Sequence, residues 1–419
     1  MPASLTTATT TALPRKTPTR AIMLLAVAGF ASQAQVRVTD SLLPQIAAEF
    51  HTAVGAAAVV VTAYAIAHGT VQLVIGPFGD RLGKYRTVAL TCAIGTVMVA
   101  LCGLATSLPQ LALARFATGA MAGGWVIPIS MAFVGDVTPY EQRQTILGRY
   151  LTGQILGQLF GQAMGGVLGD LVGWRNVFFV LSGIFAIATV GLLFELVTNP
   201  LTRDGGHSAT LRSAAGGATT GWGARFAADY GAVLSNPFAR LVIAVAFIEN
   251  VLVWGAFAYI GAHLRLRFGL SFTLIGLSVG CFGVGGLIYA GLVKLFVYRL
   301  GQVRLATTGG FVLAGGYMLL AAAPVWWLAP LSTVAIGLGF YMLHNTLQTN
   351  ATQMTPHARG TAVAIFSSAI FIGQTVGVFA GSLTIDRFGA VPLFITSAVA
   401  LPVLALWFAH ELGRHHASK

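Results

Sequence analysis

Apolar residues in this chain come in long runs, each broken by a short polar stretch and followed by another run of similar length. In the first half the runs fall near 21–45, 54–75, 88–107, 110–135, 145–170 and 175–197. In the second half they fall near 239–262, 273–297, 304–322, 326–349, 361–384 and 391–409. A helix needs about 20 apolar residues to cross the roughly 30 Å hydrocarbon core of a bilayer. Each run reaches about that length, so the pattern predicts twelve membrane-spanning helices. Open sheet edges are excluded in lipid because unpaired backbone groups find no water there. A membrane barrel would show short alternating strands, which these uninterrupted runs do not resemble.

The one long break is 198–237, rich in Gly, Ser, Thr and Ala and without an extended apolar run. It reads as a linker, with a short amphipathic helix expected near Arg225–Leu234. The predicted organisation is a tail over 1–20, a six-helix bundle over 21–197, the linker over 198–237, a second bundle over 238–410 and a tail over 411–419. The chain also repeats itself. At a shift of 216, Arg143, Thr145, Gly157, Gln158, Gly161, Gly165, Asp170, Gly173 and Phe178 meet Arg359, Thr361, Gly373, Gln374, Gly377, Gly381, Asp386, Gly389 and Phe394. At a shift of 218, Arg81, Leu82, Gly83 and Arg86 meet Arg299, Leu300, Gly301 and Arg304. Polar and glycine matches in one register are hard to attribute to composition. They predict an all-α membrane protein built as two pseudo-symmetric six-helix bundles in parallel topology.

Composition agrees: 56% of the 419 residues are hydrophobic, 9% are charged, and mean hydropathy is +0.79. A soluble domain of this size needs more surface charge. A net charge of +12 would suggest nucleic acid in a soluble protein. Here the basic residues sit in short loops, so they read as topology signals and no nucleic-acid partner is expected. With both termini cytoplasmic, the inner loops hold Arg81, Lys84, Arg86, Arg143, Arg149, Arg203, Arg212, Arg225, Arg240, Arg299, Arg304 and Arg359, against Arg175, Arg265, Arg267 and Arg387 outside. This places the chain as a multi-pass protein of an inner (plasma) membrane, expected to be monomeric. The N-terminus, with Arg15, Lys16 and Arg20 before an apolar run, resembles a signal peptide. Its apolar part is too long for one and contains Arg37 and Asp40, so an uncleaved first span is expected.

Charge is concentrated in "GPFGDRLGKYRT", Gly76 to Thr87, between spans 2 and 3. Its glycines permit a tight turn. Asp80 can bond free N–H groups at a helix start, and Arg81, Lys84 and Arg86 can reach acidic groups or lipid phosphates. Anchoring to the inner face explains part of this, but requires neither Asp80 nor the glycine spacing. The stretch resembles the G-x-x-x-D-(R/K)-x-G-x-(R/K)-(R/K) loop of the major facilitator superfamily. Span number, central linker and doubled halves extend the resemblance over the whole chain, towards the twelve-helix drug/proton antiporter group. The resemblance implies that Gly76, Asp80, Arg81, Gly83 and Arg86 latch the cytoplasmic side. The second copy, "YRLGQVR", has Tyr298 where the Asp would be.

Charges inside spans are costly unless they face a cavity or a partner. Arg115 opens "RFATG" in span 4, which resembles the family's R-x-x-x-G motif associated with proton coupling. Arg37 and Asp40, three residues apart, share a helix face and either neutralise each other or serve the central cavity. Glu249 in span 7 has no cation close in sequence. Spans 1 and 7 are equivalent in the two halves, and both line the cavity in the family. Asp40 and Glu249 are therefore the candidate proton carriers, with Arg115 tuning one of them. In span 10, His344, Asn345 and Gln348 make part of one face polar, either bonding between helices or lining a substrate path. Tyr64, Trp125, Trp254 and Tyr259 are candidate cavity walls, though such residues also serve ordinary packing; Glu195 and His68 are weaker candidates.

Gly153, Gly157, Gly161 and Gly165 recur at every fourth position of span 5, a spacing that lets helices approach closely. The run resembles the antiporter signature G-x-x-x-G-P-x-x-G-G, with Gln158 in place of the Pro and Gln162 in place of the last Gly. Cys92, Cys102 and Cys281 all fall in apolar runs, without disulfide or metal-ligand spacing. No His cluster, Ser/His/Asp set or phosphate-binding loop points to an enzyme, a metal or a cofactor. The expected function is alternating-access transport, with proton-coupled efflux of small organic molecules (drugs or sugars) ahead of metabolite uptake by symport or facilitated diffusion. A non-transporting sensor on the same fold is the third reading.

Overall fold

The computed structural model describes residues 18–75, 83–138, 140–203 and 222–417. Every regular element among them is helical. The first half contains α1 (Thr19–Glu49), α2 (Val54–Gln72), α3 (Lys84–Leu104), α4 (Leu108–Val137), α5 (Tyr140–Val172) and α6 (Trp174–Thr198). The second half contains α7 (Pro237–Phe268), α8 and α9 within Phe272–Ala322, α10 (Leu328–Ala351), α11 (Arg359–Phe388) and α12 (Val391–Ala417). Between the halves a helix at Trp222–Ser235 lies where the amphipathic segment is expected. It is tied to the end of α2 by the Tyr230 hydroxyl, which donates to the Leu73 carbonyl at 2.6 Å.

α8 and α9 follow each other without a loop. They are separated at Gly301, whose φ of 65° and ψ of 174° only glycine adopts freely. Gly83, the repeat counterpart of Gly301, starts α3 with a φ of 84°. α10 is less apolar than the other spans because its C-terminal half carries His344, Asn345, Gln348 and Asn350. Large exposed apolar side chains such as Leu113, Ile187, Val190, Phe379 and Val403 lie on the outer faces of the helices, the surface a lipid-facing helix presents.

Each half is built around one close helix pair. α1 packs along the glycine row of α5: a Cβ on Gly161 would lie 2.2 Å from the Ala34 carbonyl oxygen, so only glycine fits. α7 packs the same way on α11, where a Cβ on Gly377 would lie 2.2 Å from the Val251 carbonyl oxygen. Small residues let backbones meet where lipid provides no hydrophobic drive for association. The symmetry extends to the partners. Phe30 and Ala34 on α1 correspond to Phe247 and Val251 on α7, each pair 217 positions apart.

The halves meet along α5–α8 and α2–α11. On α5–α8, contacts run from Gly166, where a Cβ would lie 2.4 Å from the Phe272 carbonyl oxygen, to Leu159 beside Gly283. On α2–α11, Gly55 lies against Ser382 and Asp386, and Gly69 against Phe371. Arg20 at the start of α1 pairs with Glu195 at the end of α6 at 3.3 Å, which marks the end of the molecule that holds the termini. Near that end a cavity of about 580 Å³ is lined by Leu73 at the end of α2 and otherwise by the second half and the helix before it, with Leu234, Phe247 and Ile365 among its walls. At the opposite end, the gap between the halves is bridged by hydrogen bonds.

Candidate functional site

The site lies where α1, α2, α4, α7 and α10 converge. Pro44 inside α1 has no N–H to give the carbonyl of Asp40 four residues earlier. Gly261 of α7 approaches that same carbonyl. Three residues before Asp40, Arg37 turns its guanidinium toward the carboxylate, Nη1 to Oδ2 at 3.9 Å, and both side chains are buried. The guanidinium lies over the ring of Trp254 on α7, 3.2 Å from its centroid. The pairing within α1 read from the spacing is therefore present, and a cation–π contact across the halves accompanies it.

Arg115 is fully buried, and its partners are not carboxylates. Its Nε donates to the Val60 carbonyl at 3.3 Å, Nη1 to the Gln35 carbonyl at 3.1 Å and Nη2 to the Thr39 hydroxyl at 3.4 Å. Its guanidinium also lies 4.2 Å from the Tyr64 ring centroid. One side chain on α4 thus ties α1 to α2, beside the Arg37–Asp40 pair. A π-helical turn at Gly119–Gly123 follows immediately. There the backbone of α4 comes so close to Tyr64 and His68 that a Cβ on Gly123 would clash with both rings. His68 stacks on Phe371 of the other half, with centroids 3.6 Å apart, and its Nε2 lies 3.3 Å from Gln72 Nε2.

In the second half, Glu249 is fully buried, and its Oε2 lies 2.8 Å from His344 Nδ1 on α10. The partner that the linear sequence does not offer Glu249 is thus a histidine 95 residues away. His344 stacks on Phe340 with centroids 4.7 Å apart. Asn250 Nδ2 donates to the Ala246 carbonyl at 2.7 Å and lies 3.4 Å from Glu249 Oε2, while its Oδ1 accepts from Trp254 Nε1 at 2.8 Å. A chain of contacts therefore runs His344, Glu249, Asn250, Trp254, Arg37, Asp40, crossing from one half to the other.

Trp254, Phe257, Phe282, Phe340 and Tyr341 form a continuous aromatic wall, neighbouring centroids lying 5.1 to 5.7 Å apart. The Tyr341 hydroxyl reaches Gln158 Oε1 of α5 at 3.4 Å. Several buried polar atoms of the convergent helices have no hydrogen-bond partner among the described residues: Arg37 Nη1, Asp40 Oδ2, Glu249 Oε1, the Tyr64 hydroxyl, and both amide atoms of Gln35. Such groups are rare in folded interiors, since each forfeits its bond to water. Gathered beside an aromatic wall, they are what a site for a partly polar organic solute requires.

Other residues named from the sequence are spread more widely. Asn345 is half-buried, Gln348 is exposed, and Trp125 is half-buried just beyond the π turn. Tyr259 is buried, donating to the Val378 carbonyl at 2.7 Å, a packing contact between α7 and α11. Glu195 takes Arg20 and Asn199 at the termini end. Of the loop motif, Gly76, Asp80 and Arg81 lie outside the described residues, Gly83 begins α3, and Arg86 is exposed. Asn250, Gln35 and Tyr341 were not singled out from the sequence. Asn250 adjoins Glu249, and an amide beside a buried acid was the signal available for it.

The comparisons with known proteins agree with this fold. The family model for the Major Facilitator Superfamily matches residues 25–377 and again 268–418. The chain is 26% identical over 385 residues to the uncharacterized MFS-type transporter YceJ of Bacillus subtilis (strain 168), covering 90% of this chain and 93% of that protein. It is 23% identical over 361 residues to the multidrug transporter protein MdtP of the same organism, covering 76% of this chain and 66% of that one. Among solved structures, the crystal structure of a D-xylose-proton symporter superposes with a TM-score of 0.74 at 14% identity, covering 94% of this chain and 98% of the other. At that identity the likeness speaks for the fold alone.

Proposed function

The chain belongs to the Major Facilitator Superfamily, and we propose that it exports small organic molecules in exchange for protons by alternating access. The observation that carries this reading is Glu249, sealed in the second half with His344 on one oxygen and its other oxygen unpartnered. A buried acid beside a histidine can load and release a proton as rocking of the halves changes its access to water. Arg37–Asp40 faces it from the first half as the second ionisable element, and Arg115 fixes the helices that hold that pair. The aromatic wall of Trp254, Phe340 and Tyr341 suits the rings of drug-like solutes, and the likeness to MdtP supports the same class.

The bundles over 21–197 and 238–410 are the moving bodies, and 198–237 links them on the cytoplasmic side of an inner membrane, as the Lys/Arg asymmetry of the loops implies. The cavity near the termini end then faces the cytoplasm. Gly76, Asp80, Arg81, Gly83 and Arg86 latch that side when it closes. Gln158 and Gln162, where the antiporter signature has Pro and Gly, favour uptake as the second reading.

Proteoliposomes with an imposed proton gradient separate the two. Ethidium and radiolabelled hexoses serve as probes, chosen after comparing the growth of cells with and without the protein on a solute panel. Export predicts solute movement opposite to the proton gradient, abolished when the gradient is collapsed. Movement along with protons supports uptake, and movement indifferent to the gradient removes proton coupling altogether.

A further inference from the structure

At the end of α5, Asp170 accepts from the backbone N–H of Thr273 at 3.2 Å and from its hydroxyl at 2.7 Å, at the start of α8. At the end of α11, Asp386 accepts from the backbone N–H of Gly55 at 3.0 Å, at the start of α2. Each bond joins one half of the molecule to the other, and both lie at the end away from the termini. They are copies of one contact. Asp170 and Asp386 are 216 positions apart, as are Gly161 and Gly377; Gly55 and Thr273 are 218 apart, as are Gly83 and Gly301. The helix starts match as well: Ala53 has φ −67° and ψ 151°, and Ser271 has φ −62° and ψ 154°.

The chemistry of the pair follows from the helix ends. The first N–H groups of a helix have no partner within it, and the helix dipole makes that end partly positive. A carboxylate there forms a charge-assisted bond. Ser271 gives α8 a cap of its own, accepting from Leu274 N–H at 3.3 Å. Ala53 has no side-chain acceptor, so α2 takes its cap from the opposite half. Both carboxylates are exposed. Water can therefore replace each bond when the halves separate, so the contact can open and reform in every cycle. We infer that Asp170 and Asp386 are the paired latches of the gate at the end away from the termini. They hold the halves together there in this state and let go when that end opens. Gly83, the described glycine of the gate motif read from the sequence, starts α3 at the other end of the molecule.

Spin labels on the full chain in lipid nanodiscs test this. Cysteines replacing the exposed Leu171 and Leu277 report the α5–α8 seam, and cysteines replacing the exposed Val59 and Leu383 report the α2–α11 seam, with Cys281→Ala as background. Asp170→Asn and Asp386→Asn should each raise the ratio of long to short distances by about two- to fivefold, the range expected for a charge at a helix end. The double variant should show roughly the product. Thr273→Val, which removes one of the two bonds to Asp170, should give a smaller rise in the same direction. Distance distributions unchanged in the double variant overturn the inference. Where an Asn variant fails to fold, Asp→Glu at the same position displaces the carboxylate by one methylene and is read against the same two outcomes. The distances need neither substrate nor gradient, so failure of the proposed proton exchange leaves this test untouched.

Discussion

Arg37 and Trp254 are counterparts in the two halves, 217 positions apart like Phe30 and Phe247, and the guanidinium of one lies 3.2 Å from the ring centroid of the other. The internal symmetry of the fold thus brings two equivalent positions face to face, one holding a cation and the other a π surface. A desolvated cation–π contact is worth about 2 kcal/mol. Trp254 also donates to Asn250, so its plane is held from the Glu249 side. Trp254→Leu removes both interactions and should lower initial transport rates in proteoliposomes roughly tenfold or more at equal folded protein. Trp254→Phe keeps the ring face and loses only the indole N–H, and should fall between. Equal losses for the two variants would show that the π face contributes nothing.

Much of this architecture was legible in the sequence because lipid imposes a simple rule on length and polarity. The spans and the doubling followed from run lengths and from glycines in register. What was not legible is tertiary. Spacing offered Asp40 as the partner of Arg37, and that pairing exists, but no local pattern announces Trp254 on another helix. Arg115 was read for its charge, and its donors also reach two carbonyls and a hydroxyl of α1 and α2; backbone acceptors leave no mark in composition. Glu249 and His344 were each singled out, and only packing joined them. Asp170 and Asp386 stood out as repeat matches, with nothing local to indicate that their partners were the helix starts of the opposite half.

Glu249→Gln keeps the shape of the side chain and an acceptor for His344 while removing the ionisable group. If Glu249 carries the proton, a gradient should no longer drive accumulation, whereas exchange of labelled for unlabelled solute at equal pH on both sides should persist. The two assays on one preparation separate loss of coupling from loss of binding. Gradient-driven accumulation that survives the substitution would assign the proton to another group, with Asp40→Asn the next variant to measure.

Arg115→Lys preserves the charge and loses the planar fork. An ammonium cannot reach the Val60 and Gln35 carbonyls and the Thr39 hydroxyl together in the directions the guanidinium uses. At least one buried acceptor is then left without its donor, at a cost of about 1–3 kcal/mol. The expected result is a lower unfolding temperature in detergent, measured by scanning fluorimetry. A role as clamp between α1 and α2 predicts that stability and transport fall together. Unchanged stability with altered pH dependence of transport would instead favour direct electrostatic tuning of Asp40.

The glycine row of α5 offers an internally controlled comparison. At Gly161 a Cβ would lie 2.2 Å from the Ala34 carbonyl oxygen, an atom of α1 that cannot rotate away, so Gly161→Ala must push the helices apart. Overpacking of this kind costs about 1–3 kcal/mol. At Gly148, on the same helix, nothing lies within 4 Å of the added atom. There the substitution should be neutral or slightly stabilising, since alanine exceeds glycine in helix propensity by about 0.8–1.0 kcal/mol. Thermal unfolding of the two variants in one detergent should therefore shift in opposite directions or leave only Gly161→Ala destabilised. Because α1 also carries Arg37 and Asp40, displacing it at Gly161 should reduce transport beyond what the lost stability accounts for. A Gly161→Ala protein as stable and active as the parent would mean that α1 and α5 do not pack this closely in the membrane.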